Sequence, residues 1–312
     1  MCDSGSGPVG WCTTAARERW AGAGRARVPT LFEMVQTPTR EGLLQELRSK
    51  ARDYRRLTWR TLRAGGSGHM GGSLSAAELF VVLYFHTLRY RTDQPQWPDR
   101  DRFVLSKGHA NAGYVALLAQ AGFIPTSLLE TFNHLDSPLG MHPNMKVPGV
   151  EMNTGALGHG LAVGVGMALG ARITGRDYRT FVMLGDGELH EGSVWEAAQL
   201  ASHLQLNNLC AIVDRNMVSQ SGPVAEIVDV EPLADKWRAF GFEVREVDGH
   251  DVGHLVDAFD RLPWTPERPN VLIARTVKGK GASFAENTYV WHSNSVDDDV
   301  LERALAELEA DR

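Results

Sequence analysis

The sequence predicts an α/β fold with a mostly parallel sheet and helices on both faces. Three observations carry that expectation. From residue 159 onward, stretches with helical apolar spacing alternate with short runs rich in Val, Ile and Leu. The most suggestive residues, Gly185-Asp186-Gly187 and Asp214-Arg215-Asn216, follow two of those runs directly. In open α/β sheets, ligands bind outside the carboxyl ends of the strands. Finally, 312 residues with 43% hydrophobic and 22% charged content suit a soluble chain that buries a sizeable core without staples.

Residues 1 to about 33 are rich in Gly, Ala and Arg and show no apolar periodicity. They read as a disordered leader or a start-site artefact, with Met34 as the natural first residue. Residues 34–312 read as a single domain. Thr39 caps a helix running to about Arg63, with Leu43, Leu47, Tyr54 and Leu57 near helical spacing. The glycine cluster from Gly65 to Gly72 breaks it, and Ser75 opens a second helix from Ala76 to about Leu88. A strand at 102–105 ends at Ser106-Lys107-Gly108-His109, and a helix follows through Leu118. Residues 132–150 read as loop. Then come helix 159–173, strand 180–184, helix 192–203, strand 209–213, helix 232–240, strand 243–247, helix 252–262 and strand 271–275. Asp297-Asp298-Asp299 opens a last helix before Leu301, Leu305 and Leu308.

The most apolar run, 155–171, is shorter than the roughly 20 residues a membrane span needs and carries His159. A net charge of -6 argues against nucleic acid as the main partner. Cys2, Cys12 and Cys210 form no disulfide framework, which fits a reducing cytoplasm.

The chemistry starts from Asp186 and Asn216, 30 residues apart. Gly185 and Gly187 let the backbone turn tightly at the strand end and approach an anion. A carboxylate and an amide oxygen from adjacent strand ends are hard ligands of the kind Mg²⁺ or Ca²⁺ takes together with phosphate oxygens. The next helix offers its amino end to a phosphate. A lone Gly-Asp-Gly is more often a structural turn; its spacing to Asn216 across one helix–strand unit is what points to a metal-diphosphate site. A nicotinamide-binding domain needs G-x-G-x-x-G at its first βα turn, whereas the nearest string here, Gly160 to Gly170, lies inside a helix.

That spacing, together with Gly68-His69-Met70-Gly71-Gly72-Ser73-Leu74-Ser75, Ser106-Lys107-Gly108-His109-Ala110, Gly140-Met141-His142-Pro143, Gly155-Ala156-Leu157-Gly158-His159-Gly160 and Trp291-His292, resembles the transketolase family. The resemblance implies the thiamine diphosphate-binding fold and the cofactors thiamine diphosphate and Mg²⁺ or Ca²⁺. It implies that Asp186 and Asn216 ligate the metal through side chains and Val218 through its carbonyl. Gly185 and Gly187 flank that site. His69, His109 and His292 would surround the diphosphate and the reacting oxygens, and His142 the substrate. Gly155 and Leu157 would touch the aminopyrimidine. Glu191 and Glu196 would link two active sites across an interface, and the glycines of helix 159–173 would face a partner. His86, His134, His203, His250 and His254 stay read as ordinary surface or core histidines.

A single-chain transketolase is about twice this length. The resemblance therefore implies the amino-terminal subunit of a split enzyme, moving a two-carbon ketol unit between sugar phosphates or similar polyols. Its partner would be a carboxyl-terminal, transketolase-like subunit that supplies the pyrimidine-binding domain and its glutamate. Alternatives are another thiamine diphosphate carboligase resembling 1-deoxyxylulose-phosphate synthase, a 2-oxo acid dehydrogenase E1 component, or a degenerate non-catalytic subunit. The chain departs from the family pattern at Ser293-Asn294, where a glycine is usual, and at His159, where glutamine is commoner.

Overall fold

The computed structural model describes residues 39–310, so the expectation for residues 1–33 lies outside the described chain. Helix α1 (Arg40–Ala64) opens the fold and leads into the two-residue strand β1 (Ser67–Gly68). Helices α2 (Met70–Ser75) and α3 (Ala77–Val82) follow, the latter running on as a π turn through Leu83–Thr87. Strand β2 (Arg102–Leu105) precedes α4 (Asn111–Gln120) and α5 (His159–Ile173). The alternation then runs β3 (Thr180–Gly185), α6 (Gly192–His203), β4 (Leu209–Arg215), α7 (Val224–Ile227) and α8 (Leu233–Ala239). It closes with β5 (Glu243–Asp248), α9 (Val252–Phe259), β6 (Asn270–Arg275), β7 (Asn294–Ser295) and α10 (Asp298–Ala310).

Five strands form a wholly parallel sheet in the order β2-β3-β4-β6-β5, while β1 and β7 pair antiparallel as a separate ribbon. The period-two alternation of strand side chains divides the core in two. Phe181, Met183, Cys210, Ile212, Leu272 and Ala274 pack on one face against α1, α3, α4 and α9. Val182, Leu184, Leu209, Ala211, Val213, Val271 and Ile273 pack on the other against α5, α6 and α8. Burial on both faces explains why these strands are apolar throughout. On α1, the buried stripe of Leu44, Leu47, Ala51, Tyr54, Thr58 and Leu62 repeats every three or four residues, and Trp59 is fully buried beside it. Truncating Trp59 to Ala costs about 3–5 kcal/mol through the cavity it leaves. Among the described residues, no helix is long and apolar enough to cross a membrane.

Two expectations need correction. The helix expected from Ala76 to about Leu88 is present as α3 and its π turn, but a further short helix, α2, starts at Met70 inside the glycine cluster and the chain breaks between the two at Ala76. Glycine is a poor helix former, but here close packing decides. A Cβ on Gly71 would fall 2.7 Å from Lys278 Cε and 3.1 Å from the Trp291 carbonyl, so glycine lets α2 lie close against the loop that carries both. The glycines of α5 do not all present an outward face either. A Cβ on Gly160 would meet Ser106 at 2.4 Å and one on Gly164 would meet Val182 at 2.3 Å. Those two seat α5 on its own sheet, while Gly166 has open space beside it.

Candidate active site

The in-register pairing of β3 with β4 places Gly185 opposite Asp214, so Asp186 and Asn216 leave neighbouring strands side by side. The Asp186 carboxylate accepts the Gly187 N–H at 2.8 Å and the Met217 N–H at 2.5 Å. Met217 takes a left-handed backbone with φ 67 to make that turn. The Asn216 amide donates to Asp214 at 3.0 Å, and its Oδ1 accepts the Val218 N–H at 3.2 Å.

Beneath this rim lies a set of buried charges. Asp214 is wholly buried and accepts Lys107 Nζ at 2.5 Å, Ser75 Oγ at 2.6 Å and Thr276 Oγ1 at 2.5 Å. Burial would raise its pKa, yet the Lys107 ammonium holds it below the usual carboxylate range. Asp186 lacks such a partner, and burial followed by repulsion from Asp214 pushes it up to about 6. Lys278 Nζ donates to the Val218 carbonyl at 2.5 Å, the Ser219 carbonyl at 3.1 Å and His292 Nδ1 at 2.8 Å. Burial lowers Lys278 to about 8 against the pull of Asp186 and Asp214. Glu188 joins three segments by accepting Ser106 Oγ at 2.5 Å, the Gly158 N–H at 2.9 Å and the Gly185 N–H at 3.0 Å.

Above the rim, three imidazoles converge from separate loops. The ring centroids of His69 and His109 are 5.3 Å apart, those of His69 and His292 are 5.3 Å apart, and those of His109 and His292 are 5.1 Å apart. Burial, then the charge of Lys278, lowers His292 to about 3. Burial, then His292, lowers His109 well below its ordinary value; burial, then His142, lowers His69. Neutral imidazoles each offer one donor and one acceptor, which suits the hydroxyls and carbonyl of a sugar. At His292 the tautomer follows from the contact: Nδ1 accepts from Lys278, so Nε2 carries the hydrogen.

Every residue expected to touch cofactor or metal lines one cavity of about 370 Å³: His69, His109, His142, His292, Gly155, Leu157, Gly185, Asp186, Gly187, Asn216 and Val218. Glu191 and Glu196 do not line it; both are exposed, Glu191 at the cap of α6 and Glu196 within it. Nor does the amino end of α6 reach the cavity. A single 3₁₀ turn, Gly187–His190, intervenes, and Glu191 caps the helix beyond it. The sequence reading missed Lys107, Asp214, Glu188 and Lys278. Lys107 and Asp214 stood within motifs already singled out. Lys278, in a Lys-Gly-Lys-Gly string after a strand, carried a weaker signal.

The oxygen donors fit a magnesium diphosphate. Asp186 is 2% exposed, held at the edge of ionisation, and would be relieved by a dication. Asn216 Oδ1 and the Val218 carbonyl complete a hard, all-oxygen set of the kind Mg²⁺ takes with phosphate and water. Among the described residues no group of three His, Cys, Asp or Glu side chains is set to hold a metal by itself. Lys107, paired with Asp214, and Lys278 bring two ammonium groups to the lining of the same cavity.

A parallel sheet with buried carboxylate, amide and ammonium groups around a cavity at its carboxyl end is the α/β arrangement in which ligands bind at that end. Residues 48–310 match the family described as transketolase, thiamine diphosphate binding domain. The chain belongs to that family. It is 43% identical over 265 residues to one of the apulose-4-phosphate transketolase subunits of Actinobacillus succinogenes, covering 84% of this chain and 96% of that protein. It is 39% identical over 265 residues to the 6-deoxy-6-sulfo-D-fructose transketolase subunit SqwG of a Clostridium species, covering 85% and 96%. The transketolase of Campylobacter jejuni superposes with a TM-score of 0.81 at 32% identity, over 85% of this chain but 43% of that one. The chain thus spans less than half the length of that transketolase.

Proposed function

We propose that this chain is the diphosphate- and metal-binding subunit of a two-component transketolase. It transfers a two-carbon ketol unit from a ketose donor to an aldose acceptor, with sugar phosphates as the substrate class. The observation that carries the reading is the convergence of His69, His109 and His292 above the Asp186–Asn216 rim in one cavity. The match over 96% of two relatives named as transketolase subunits supports the two-component form.

In this reading Asp186, Asn216 and the Val218 carbonyl hold Mg²⁺. Lys107, Lys278 and the Gly185–Gly187 turn enclose the diphosphate, and Gly155 and Leu157 meet the aminopyrimidine. When bound, thiamine diphosphate supplies the nucleophilic carbon and the electron sink. The protein's own part is to hold neutral imidazoles at the sugar oxygens. His292 donates from Nε2, while His69 and His109 exchange protons with substrate hydroxyl and carbonyl oxygens. His142, lining the cavity beside Gly155, contacts the substrate end.

The partner is a carboxyl-terminal transketolase-like subunit that brings the pyrimidine-binding domain with its glutamate, two copies of each chain forming a heterotetramer. Glu191 and Glu196, exposed at and beyond the start of α6, face that assembly and connect its active sites. A cytoplasmic setting agrees with Cys210, a buried free thiol. The test is turnover of ketose and aldose phosphates with thiamine diphosphate and Mg²⁺, by this chain alone and with its partner. Activity only in the pair is expected. Full ketol transfer by this chain alone overturns the two-component reading; no cofactor binding in either form overturns the transketolase reading.

A further inference from the structure

Lys278 reaches the cavity from a loop that has little regular structure of its own. It lies beyond the end of β6, in a segment where Gly279 and Gly281 take φ +75 and φ +93. Its ammonium is held by the Val218 and Ser219 carbonyls and by His292 Nδ1, and the backbone behind it is tied down as well. Two ties flank it. The Val277 N–H donates to His250 Nε2 at 2.8 Å, and the Lys280 carbonyl accepts Arg55 Nε at 3.0 Å.

Both ties lead to one buried carboxylate. Arg55 forks onto Glu78 with contacts of 2.6 and 2.8 Å, and His250 Nδ1 lies 2.9 Å from Glu78 Oε2. Nε2 of His250 is already an acceptor and an ionised carboxylate can only accept, so His250 carries its proton on Nδ1 and donates it to Glu78. Arg55 is 6% and Glu78 8% exposed, so both charges are desolvated and each needs the other. The three residues come from α1, α3 and the turn between β5 and α9, and they close a ring around residues 277–280.

We propose that His250, Glu78 and Arg55 are positioning residues that set Lys278 for a diphosphate group in the cavity. None of the three lines that cavity. They act through the backbone on either side of Lys278, at Val277 and Lys280. The inference rests on the cofactor reading above, which concerns the cavity itself.

The test measures Mg²⁺–thiamine diphosphate affinity by calorimetry on the full chain, alone and paired with its partner, together with the melting temperature. His250→Ala is expected to weaken binding about tenfold, the lower end of the loss seen when a supporting residue behind a ligand is removed. His250→Gln, whose amide still offers a donor and an acceptor, is expected to recover most of that loss. The decisive arm is a double-mutant cycle. In a Lys278→Ala background, His250→Ala is expected to change affinity by less than about twofold, because the residue it positions is gone. A further tenfold loss in that background overturns the proposal, since His250 would then be acting on the fold at large. So does unchanged affinity for His250→Ala. If the wild-type chain binds no thiamine diphosphate in either form, the cofactor reading fails and takes this inference with it.

Discussion

At the carboxyl ends of the central strands, Lys107, Asp186, Asp214 and Lys278 are gathered with no more than 2% exposure each. At the amino ends, a second chamber of about 240 Å³ is lined by Phe181, Leu209, Cys210, Leu262, Pro263 and a few amides. Its polar groups serve the backbone. Asn270 donates to the carbonyls of Asn207 and Leu209 and accepts the Trp264 N–H, which closes three strand and loop ends. Its charged residues, Asp177 and Arg179, pair with Arg89 and Asp101 beside it. Both ends belong to one sheet and face the same demand to satisfy main-chain groups. The amino end buries one carboxylate, Asp101, against two partly exposed arginines, whereas the carboxyl end gathers four buried charges in one place. Burying an ion costs several kcal/mol unless it is paired and hydrogen-bonded. The excess marks the end that handles a charged ligand.

This contrast can be broken at several points. Asp186→Ala is expected to abolish Mg²⁺-dependent cofactor binding, read by calorimetry with and without EDTA; retained affinity would remove Asp186 from the metal site. Lys107→Met leaves Asp214 buried without its cation, since the pair is 1% and 0% exposed, and is expected to cost about 3–5 kcal/mol in urea unfolding. An unchanged unfolding midpoint would mean that Ser75, Thr276 and Asn216 satisfy Asp214 by themselves.

The pH dependence of stability offers a third test, through Glu78. Burial would raise its pKa, but Arg55, with His250, holds it at about 2, against an ordinary value of 4.5. Because the folded pKa is depressed, the stabilisation is complete above pH 4.5 and is lost as pH falls through about 2. The shift corresponds to about 3 kcal/mol. The stability gap between wild type and Glu78→Gln is therefore expected to narrow as unfolding is repeated at pH values from 6 down to 3. A gap that stays constant would show that Glu78 is not held ionised. The smallest effect belongs at the amino end. Burial pushes the Cys210 thiol up to about 12, so it has no thiolate role at neutral pH. Cys210→Ala is expected to cost about 1 kcal/mol and leave cofactor affinity unchanged; a loss of affinity would break the contrast between the two ends.

Most of the fold was legible because its signals are local. The alternation of helical and extended runs placed β3, α6, β4, β5, α9 and β6 within a few residues of where they lie. The candidate metal site was equally readable: Asp186 and Asn216 are separated by one helix–strand unit, and in a parallel sheet that unit returns the chain to the next strand end. The failures share a cause as well. Met70–Ser75 is helical despite its glycines, and Gly71 there leaves the space that Lys278, two hundred residues away, takes up. The amino end of α6 stays out of the cavity because a 3₁₀ turn carries the chain past it.

The sequence by itself determined the α/β class and the strand-end placement of Asp186 and Asn216, which follow from short-range patterning and spacing; the loop histidines were singled out as a set by the family resemblance of their motifs. Only the tertiary structure decided which groups meet at long range: Lys107 with Asp214, Lys278 with Val218 and His292, and Arg55, Glu78 and His250 in one ring. Such pairings leave no periodicity in the chain. They arise because a buried charge has to find its partner wherever the fold brings one within reach.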